Sequence, residues 1–199
     1  LIVRRAQELG LGLIAVTDHN SAENVAAVQR AAVGSGIIVL PGMEVQTVEE
    51  AHILCLFDML DQVLRFQEII YASLPALPNR ADVFGEQYVV DETGDFVRLN
   101  ERLLLVSSRL SVTEIVAAAI EHGGCAIAAH VDRQGFSLLA NLGFIPRDLP
   151  LAAVEISRLT PPEQVVDRFP LLQGWPLITS GDAHRLIEMR ASTLITMGQ

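Results

Sequence analysis

The 199-residue chain contains no apolar run approaching the roughly 18 residues that a membrane-spanning helix needs, although half of its residues are hydrophobic. A soluble protein with no membrane partner is expected. Basic residues are also few: 14 Lys and Arg stand against 24 Asp and Glu, a formal net charge of -10. That balance argues against the broad basic surface that duplex nucleic acid or an anionic membrane attracts, so no duplex partner is expected. It leaves room for a small phosphorylated substrate, including a nucleotide, because carboxylates that hold divalent cations count as anions only until their site is filled. Cysteine is confined to Cys55 and Cys125, both in apolar stretches, which predicts reduced core residues in a cytoplasmic protein. Neither sits beside a histidine at a strand end, which weakens thiol catalysis. There is no glycine-rich phosphate loop and no dinucleotide fingerprint, so nucleotide-cofactor chemistry lacks support.

Short apolar runs alternate with helical periodicity along most of the chain. A helix over 1–9 ends at Gly10, and Leu13 to Thr17 reads as a buried strand that delivers Asp18, His19 and Asn20 to its end. The helical segment 21–33 and the apolar run Ile37 to Leu40 then make a βαβ unit, which calls for a parallel sheet. Pro41 and Gly42 are expected to turn the chain so that Glu44 follows the second strand. Ala51 to Phe57 is a third strand, with His52 near its start. Residues 61–108 break the rhythm with a helix (62–72), a proline-containing loop and a hairpin turning at Glu92 to Asp95, and read as an insertion or lid within a single domain spanning 1–199. Ser111 and Glu114 form a capping box ahead of an apolar helix face, and Thr160 with Glu163 is expected to do the same further on. Cys125 to Ala129, Ala153 to Ile156, Leu177 to Ser180 and Ser192 to Thr196 complete the predicted strands.

Chemistry-bearing residues recur at the ends of these strands. His19, Glu44, His130 and the pair Asp182 and His184 each follow a predicted strand, and in a parallel α/β barrel such ends open on one face. A lone buried histidine is ordinarily a hydrogen-bonded core residue, but four of the five histidines (His19, His52, His130 and His184) occupy strand ends or starts; the fifth, His122, is accounted for by a helix C-terminus. Imidazole nitrogens mixed with carboxylate oxygens suit Zn, Mn or Fe, and Glu44 is placed to bridge two ions. Arg133 and Arg185 follow His130 and His184 closely enough to grip a phosphate, or to form surface ion pairs. Asp18 either orients an imidazole or caps the helix that follows. Glu49, Glu50, Asp58 and Asp132 read as solvated charges, and Glu155 follows the strand logic with weaker neighbours.

The segments IAVTDHN (14–20), PGME (41–44), Ala51–His52, Ala129–His130 and TSGDAH (179–184) resemble, in order and spacing, the PHP family, named for polymerase and histidinol phosphatase domains. The resemblance implies an α/β fold, a distorted (β/α)7 TIM-like barrel of PHP type, with the helix and hairpin of 61–108 inserted. It further implies two or three divalent metal ions (Zn, Mn or Fe) held by His19, Glu44, His52, His130, Asp182 and His184. Glu44, Asp182 and His184 would carry the catalysis, with metal-bound hydroxide attacking the phosphorus of a small phosphate monoester or nucleotide. The family's opening His-x-His motif is absent, because the chain begins in the helix that normally follows it. That departure keeps two alternatives open: a non-catalytic regulatory domain, and a nuclease for single-stranded ends.

Overall fold

The computed structural model describes residues 1–191 and Thr193; the predicted strand Ser192 to Thr196 lies outside the described residues apart from Thr193. The chain is α/β. Its strands are β1 (Leu13–Val16), β2 (Ile38–Gln46), β3 (His52–Leu56), β4 (Tyr88–Val90), β5 (Phe96–Leu99), β6 (Cys125–Ala128), β7 (Ala153–Ile156) and β8 (Leu177–Thr179). Six of them form one curled half-barrel sheet in the order β1-β2-β3-β6-β7-β8, and β4 pairs separately with β5. The α-helices are α1 (Ile2–Glu8), α2 (Val25–Ala31), α3 (Leu60–Ser73), α4 (Ala81–Phe84), α5 (Val112–Glu121), α6 (Leu138–Leu142) and α7 (Val165–Arg168). Among the described residues no helix is long and apolar enough to cross a membrane.

Two strand expectations are corrected. Pro41 and Gly42 do not turn the chain; they lie inside β2, which runs on to Gln46 and carries Glu44 within it. Proline is tolerated there because only its carbonyl is required: Pro41 accepts from the Phe57 N–H at 2.9 Å. Gly42 is demanded by crowding, since a Cβ at this position would stand 2.8 Å from both Leu56 Cδ2 and Thr17 Cγ2. The sheet is also not wholly parallel, because β3 runs antiparallel to both β2 and β6. The reason is chain length. Only residues 47–51 separate β2 from β3, enough for a hairpin and too few for the crossover a parallel neighbour requires.

That reversal decides where His52 goes. The C-terminal ends of β1, β2, β6, β7 and β8 face one rim, and a reversed strand presents its first residue there instead. Side-chain alternation completes the arrangement. Met43 and Val45 of β2, with Ile53 and Cys55 of β3, are fully buried in a core cluster that includes Val63, Phe66 and Ile70 of α3 and Ile115, Val116 and Ala119 of α5. Glu44 and His52 therefore share the opposite face. Glu44 stands opposite Leu54, which makes His52 its diagonal cross-strand neighbour.

The helix expected within 62–72 is α3, and its buried side places it in the main core, whereas β4, β5 and α4 form a peripheral layer. Ser111 and Glu114 form the expected capping box at α5. Thr160 does not cap its helix: its hydroxyl donates to Asp132 at 2.7 Å, and only a 3₁₀ turn and the four-residue α7 follow. Asp132 is correspondingly no solvated charge, since it also accepts from the Ser157 N–H and hydroxyl.

Because the Gly42 contacts include the Cys55 carbonyl oxygen at 3.1 Å, which a rotamer change cannot move, Gly42→Ala is expected to destabilise the fold by about 1–3 kcal/mol in chemical denaturation.

Candidate metal centre

The rim is built on a continuation of the β1–β2 pairing. His19 bridges to Glu44 in parallel register, the Glu44 N–H donates to the Asp18 carbonyl, and the Asn20 N–H donates to the Glu44 carbonyl. Asn20 ends this ladder in a left-handed conformation (φ 51) that asparagine tolerates better than most residues. Its buried side-chain amide donates to the carbonyls of Leu104 and Val106 at 2.8 Å each, which locks the turn that presents His19.

Glu44 is 4% exposed and meets three imidazoles from three segments. Its Oε1 lies 3.0 Å from His52 Nδ1 and 3.2 Å from His130 Nε2, and its Oε2 lies 3.4 Å from His19 Nδ1. Burial works against the Glu44 carboxylate. Hydrogen bonds from His130 and His52, with the electrostatic attraction of the His52 and His19 rings, outweigh it and hold the carboxyl well below the usual range. Phe136 stacks on the His52 ring at 4.9 Å and shields that side.

The remaining sequence-predicted residues are gathered at the outer edge. His184 Nε2 lies 3.4 Å from His19 Nε2, so the loop after β8 reaches the loop after β1 at the two edges of the sheet. Asp182, in a left-handed conformation (φ 40), sits between His184 and Arg133, with its Oδ2 2.6 Å from Arg133 Nη1. The Asp18 carboxylate accepts from the Asn24 side-chain amide at 3.0 Å, while the His19 ring faces Glu44 and His184. Arg185 is exposed, and its N–H donates to the Glu188 carboxylate. His122 lies apart, its Nδ1 against the Ala118 carbonyl at the end of α5.

One residue with a structural part in the rim followed the strand logic in sequence but was given no role there. Glu155 is 2% exposed, in the middle of β7. It accepts from the His130 backbone N–H at 2.8 Å and from the Ser180 hydroxyl. Burial pushes its carboxyl up, against the pull of those two bonds and of His130. The signal was present in the sequence as a lone acid in an otherwise apolar strand, which is costly unless it is bonded.

The donors fit a divalent ion. His19, Glu44 and His52 each offer one ligand atom, all within 4.8 Å of one another. Among the described residues His130 Nδ1 is buried with no hydrogen-bond partner, a cost that a bound cation would remove. Mixed imidazole and carboxylate donors suit a divalent transition metal.

No family model and no curated relative matches the chain. Solved structures do. The lesion-specific endonuclease PfuEndoQ from Pyrococcus furiosus aligns at 19% identity over 93% of this chain and 43% of its own, with a TM-score of 0.60. An Endonuclease Q complex with a 27-mer duplex carrying an abasic lesion at the active site aligns at 16% over 93% and 44%, with a TM-score of 0.61. A candidate metal-dependent phosphoesterase from Bifidobacterium adolescentis aligns at 20% over 92% and 81%, with a TM-score of 0.55. The chain thus spans less than half the length of the endonucleases it matches. The duplex complex corrects the expectation drawn from acidic composition. Net charge sums the whole surface, whereas binding is decided by the local field at the site, so -10 does not exclude duplex nucleic acid for a chain of this fold.

Burial and the neighbouring His52 and His184 lower the His19 pKa below its ordinary 6.5, against the opposing pull of Glu44 and Asp182. The unfolded chain therefore takes up a proton near pH 6.5 that the folded ring refuses until lower pH, so this group's contribution to stability declines as pH falls through that window. NMR titration of the metal-free protein should show the His19 ring still neutral at pH 6.5. These likenesses, at 20% identity and below, place the chain in a fold shared with an endonuclease and with a candidate metal-dependent phosphoesterase.

Proposed function

We propose that this chain is a metal-dependent hydrolase of phosphoesters. The observation that carries the reading is the convergence of His19, His52 and His130 on the single buried carboxylate of Glu44, at 3.0–3.4 Å, on one rim of the half barrel. No requirement of the fold explains three imidazoles spent on one buried anion, and the fold is shared with a candidate phosphoesterase and an endonuclease.

In this reading the described half barrel belongs to a distorted (β/α)7 plan. His19, Glu44, His52, His130, Asp182 and His184 would hold two or three divalent ions, of Zn, Mn or Fe, with Glu44 central to the set. When bound, such ions polarise a phosphoryl oxygen and lower the pKa of a water towards neutrality. The chain's own residues do the rest. Asp182 keeps the Arg133 guanidinium at the rim, where its planar fork can take a phosphate oxygen, and exposed Arg185 can approach from the His184 side. Phe136 excludes water from the His52 face. Asp18, tied to Asn24, steadies the loop that carries His19.

The ester itself is a small phosphate monoester or a nucleotide in the first reading. A nuclease is the second, favoured by the fold shared with an enzyme solved on lesion-bearing duplex. A substrate panel separates them: a chromogenic monoester, nucleoside monophosphates, a single-stranded oligonucleotide and a duplex with an abasic site, each with added Mn²⁺ or Zn²⁺. Hydrolysis of at least one is expected, and Glu44→Gln should reduce its rate by about 100-fold or more, since even loss of a group outside the ligand set costs 10- to 100-fold. A metal-loaded protein inert to the whole panel would remove the proposal.

A further inference from the structure

Glu155 contributes to the rim from below, and neither the family resemblance nor the proposed reaction uses it. In sheet order β7 lies between β6 and β8, the strands that lead to His130 and to Asp182 with His184. Its buried carboxylate spans that gap. Oε2 accepts from the backbone N–H of His130, and Oε1 accepts from the Ser180 hydroxyl, whose oxygen in turn accepts from the Asp182 N–H at 3.3 Å. The backbone of the same residue adds a third tie, its carbonyl accepting from the Val131 N–H at 2.9 Å.

The residues at the two ends of this bridge are both strained. His130 (φ 29) and Asp182 (φ 40) occupy left-handed backbone conformations that L-residues other than glycine adopt rarely and only when their surroundings hold them there. His130 also carries the buried Nδ1 that has no partner among the described residues. An apolar side chain at 155 would fill the same space with better compatibility with the core, and would leave the His130 N–H buried and unpaired. A carboxylate at this position is costly to bury, and its cost is offset only by the two loops it joins.

We propose that Glu155 is a positioning residue for the metal centre: one carboxylate, shared between two loops, fixes the backbone of His130 and the turn of Asp182 so that their side chains meet the same ion cluster. The inference rests on the metal-dependent reading above, and it adds a residue that touches neither metal nor substrate.

The test compares wild-type protein with Glu155→Gln and Ser180→Ala, measuring Mn²⁺ and Zn²⁺ affinity and stoichiometry by calorimetry beside the melting temperature of the metal-free proteins. The Gln variant keeps one acceptor oxygen where two are needed. It should bind at least one ion about 10- to 100-fold more weakly, with a melting temperature close to wild type. Ser180→Ala, which breaks only the Asp182 arm, should weaken binding in the same direction by less, and it decides the matter if the Gln variant does not fold. Unchanged affinity in a folded variant overturns the inference, as does a fall in melting temperature without any change in affinity, which marks a purely structural role. If wild-type protein itself binds neither ion, the metal-dependent reading fails first, and this inference with it.

Discussion

A carboxylate withdrawn from water must be compensated, and around Glu44 that requirement organises the molecule. Its anion is kept by imidazoles from the loop after β1, the start of β3 and the loop after β6. Each imidazole can reach it only because the local backbone does something particular: Asn20 closes the β1–β2 ladder, β3 runs backwards, and His130 adopts a left-handed turn. A hydrophobic residue at 44 would relieve the burial cost and leave three histidines facing one another with nothing to hold. The cluster is therefore explained by a cation, and poorly by stability alone.

The sheet supplies the platform. Met43, Val45, Ile53 and Cys55 turn one face of β2 and β3 into core, and strict alternation leaves Glu44 and His52 on the other. Helices α3 and α5 cover the core face, so the rim is backed by well-packed structure while the loops that carry His130, Asp182 and His184 remain at the surface end of the strands. Precision at a site of this kind comes from ligands mounted on strand ends, with loops held by polar ties. Arg133 bound to Asp182, Asp132 bound to Ser157 and Thr160, and Asn20 bound to Leu104 and Val106 are such ties.

Much of this was legible in the sequence, and what escaped has physical reasons. Strand-end placement singled out His19, His130, Asp182 and His184, because short apolar runs ending in a polar residue have few other readings. His52 was recognised for its place in a motif, and the reversal of β3 that delivers it went unread, although the five residues of 47–51 are too few for a parallel crossover. Pro41 and Gly42 suggested a turn, and tertiary pairing with Val16 overrode that local preference. Thr160 and Glu163 matched a capping box in sequence, yet the half-buried Asp132 claimed the hydroxyl. Glu155 stood out as a lone acid in an apolar strand, but its role did not, because its partners are a backbone N–H and a serine 25 residues away in either direction, contacts that spacing does not specify.

The central claim is that Glu44 and its three histidines hold divalent ions. Diffraction from crystals soaked in Mn²⁺ or Zn²⁺, collected above and below the metal's absorption edge, tests it directly. The account predicts an anomalous peak within coordination distance of a Glu44 carboxylate oxygen and of at least two of His19, His52 and His130. Anomalous density confined to surface carboxylates, with Glu44 still in direct hydrogen-bonding contact with its histidines, would contradict it.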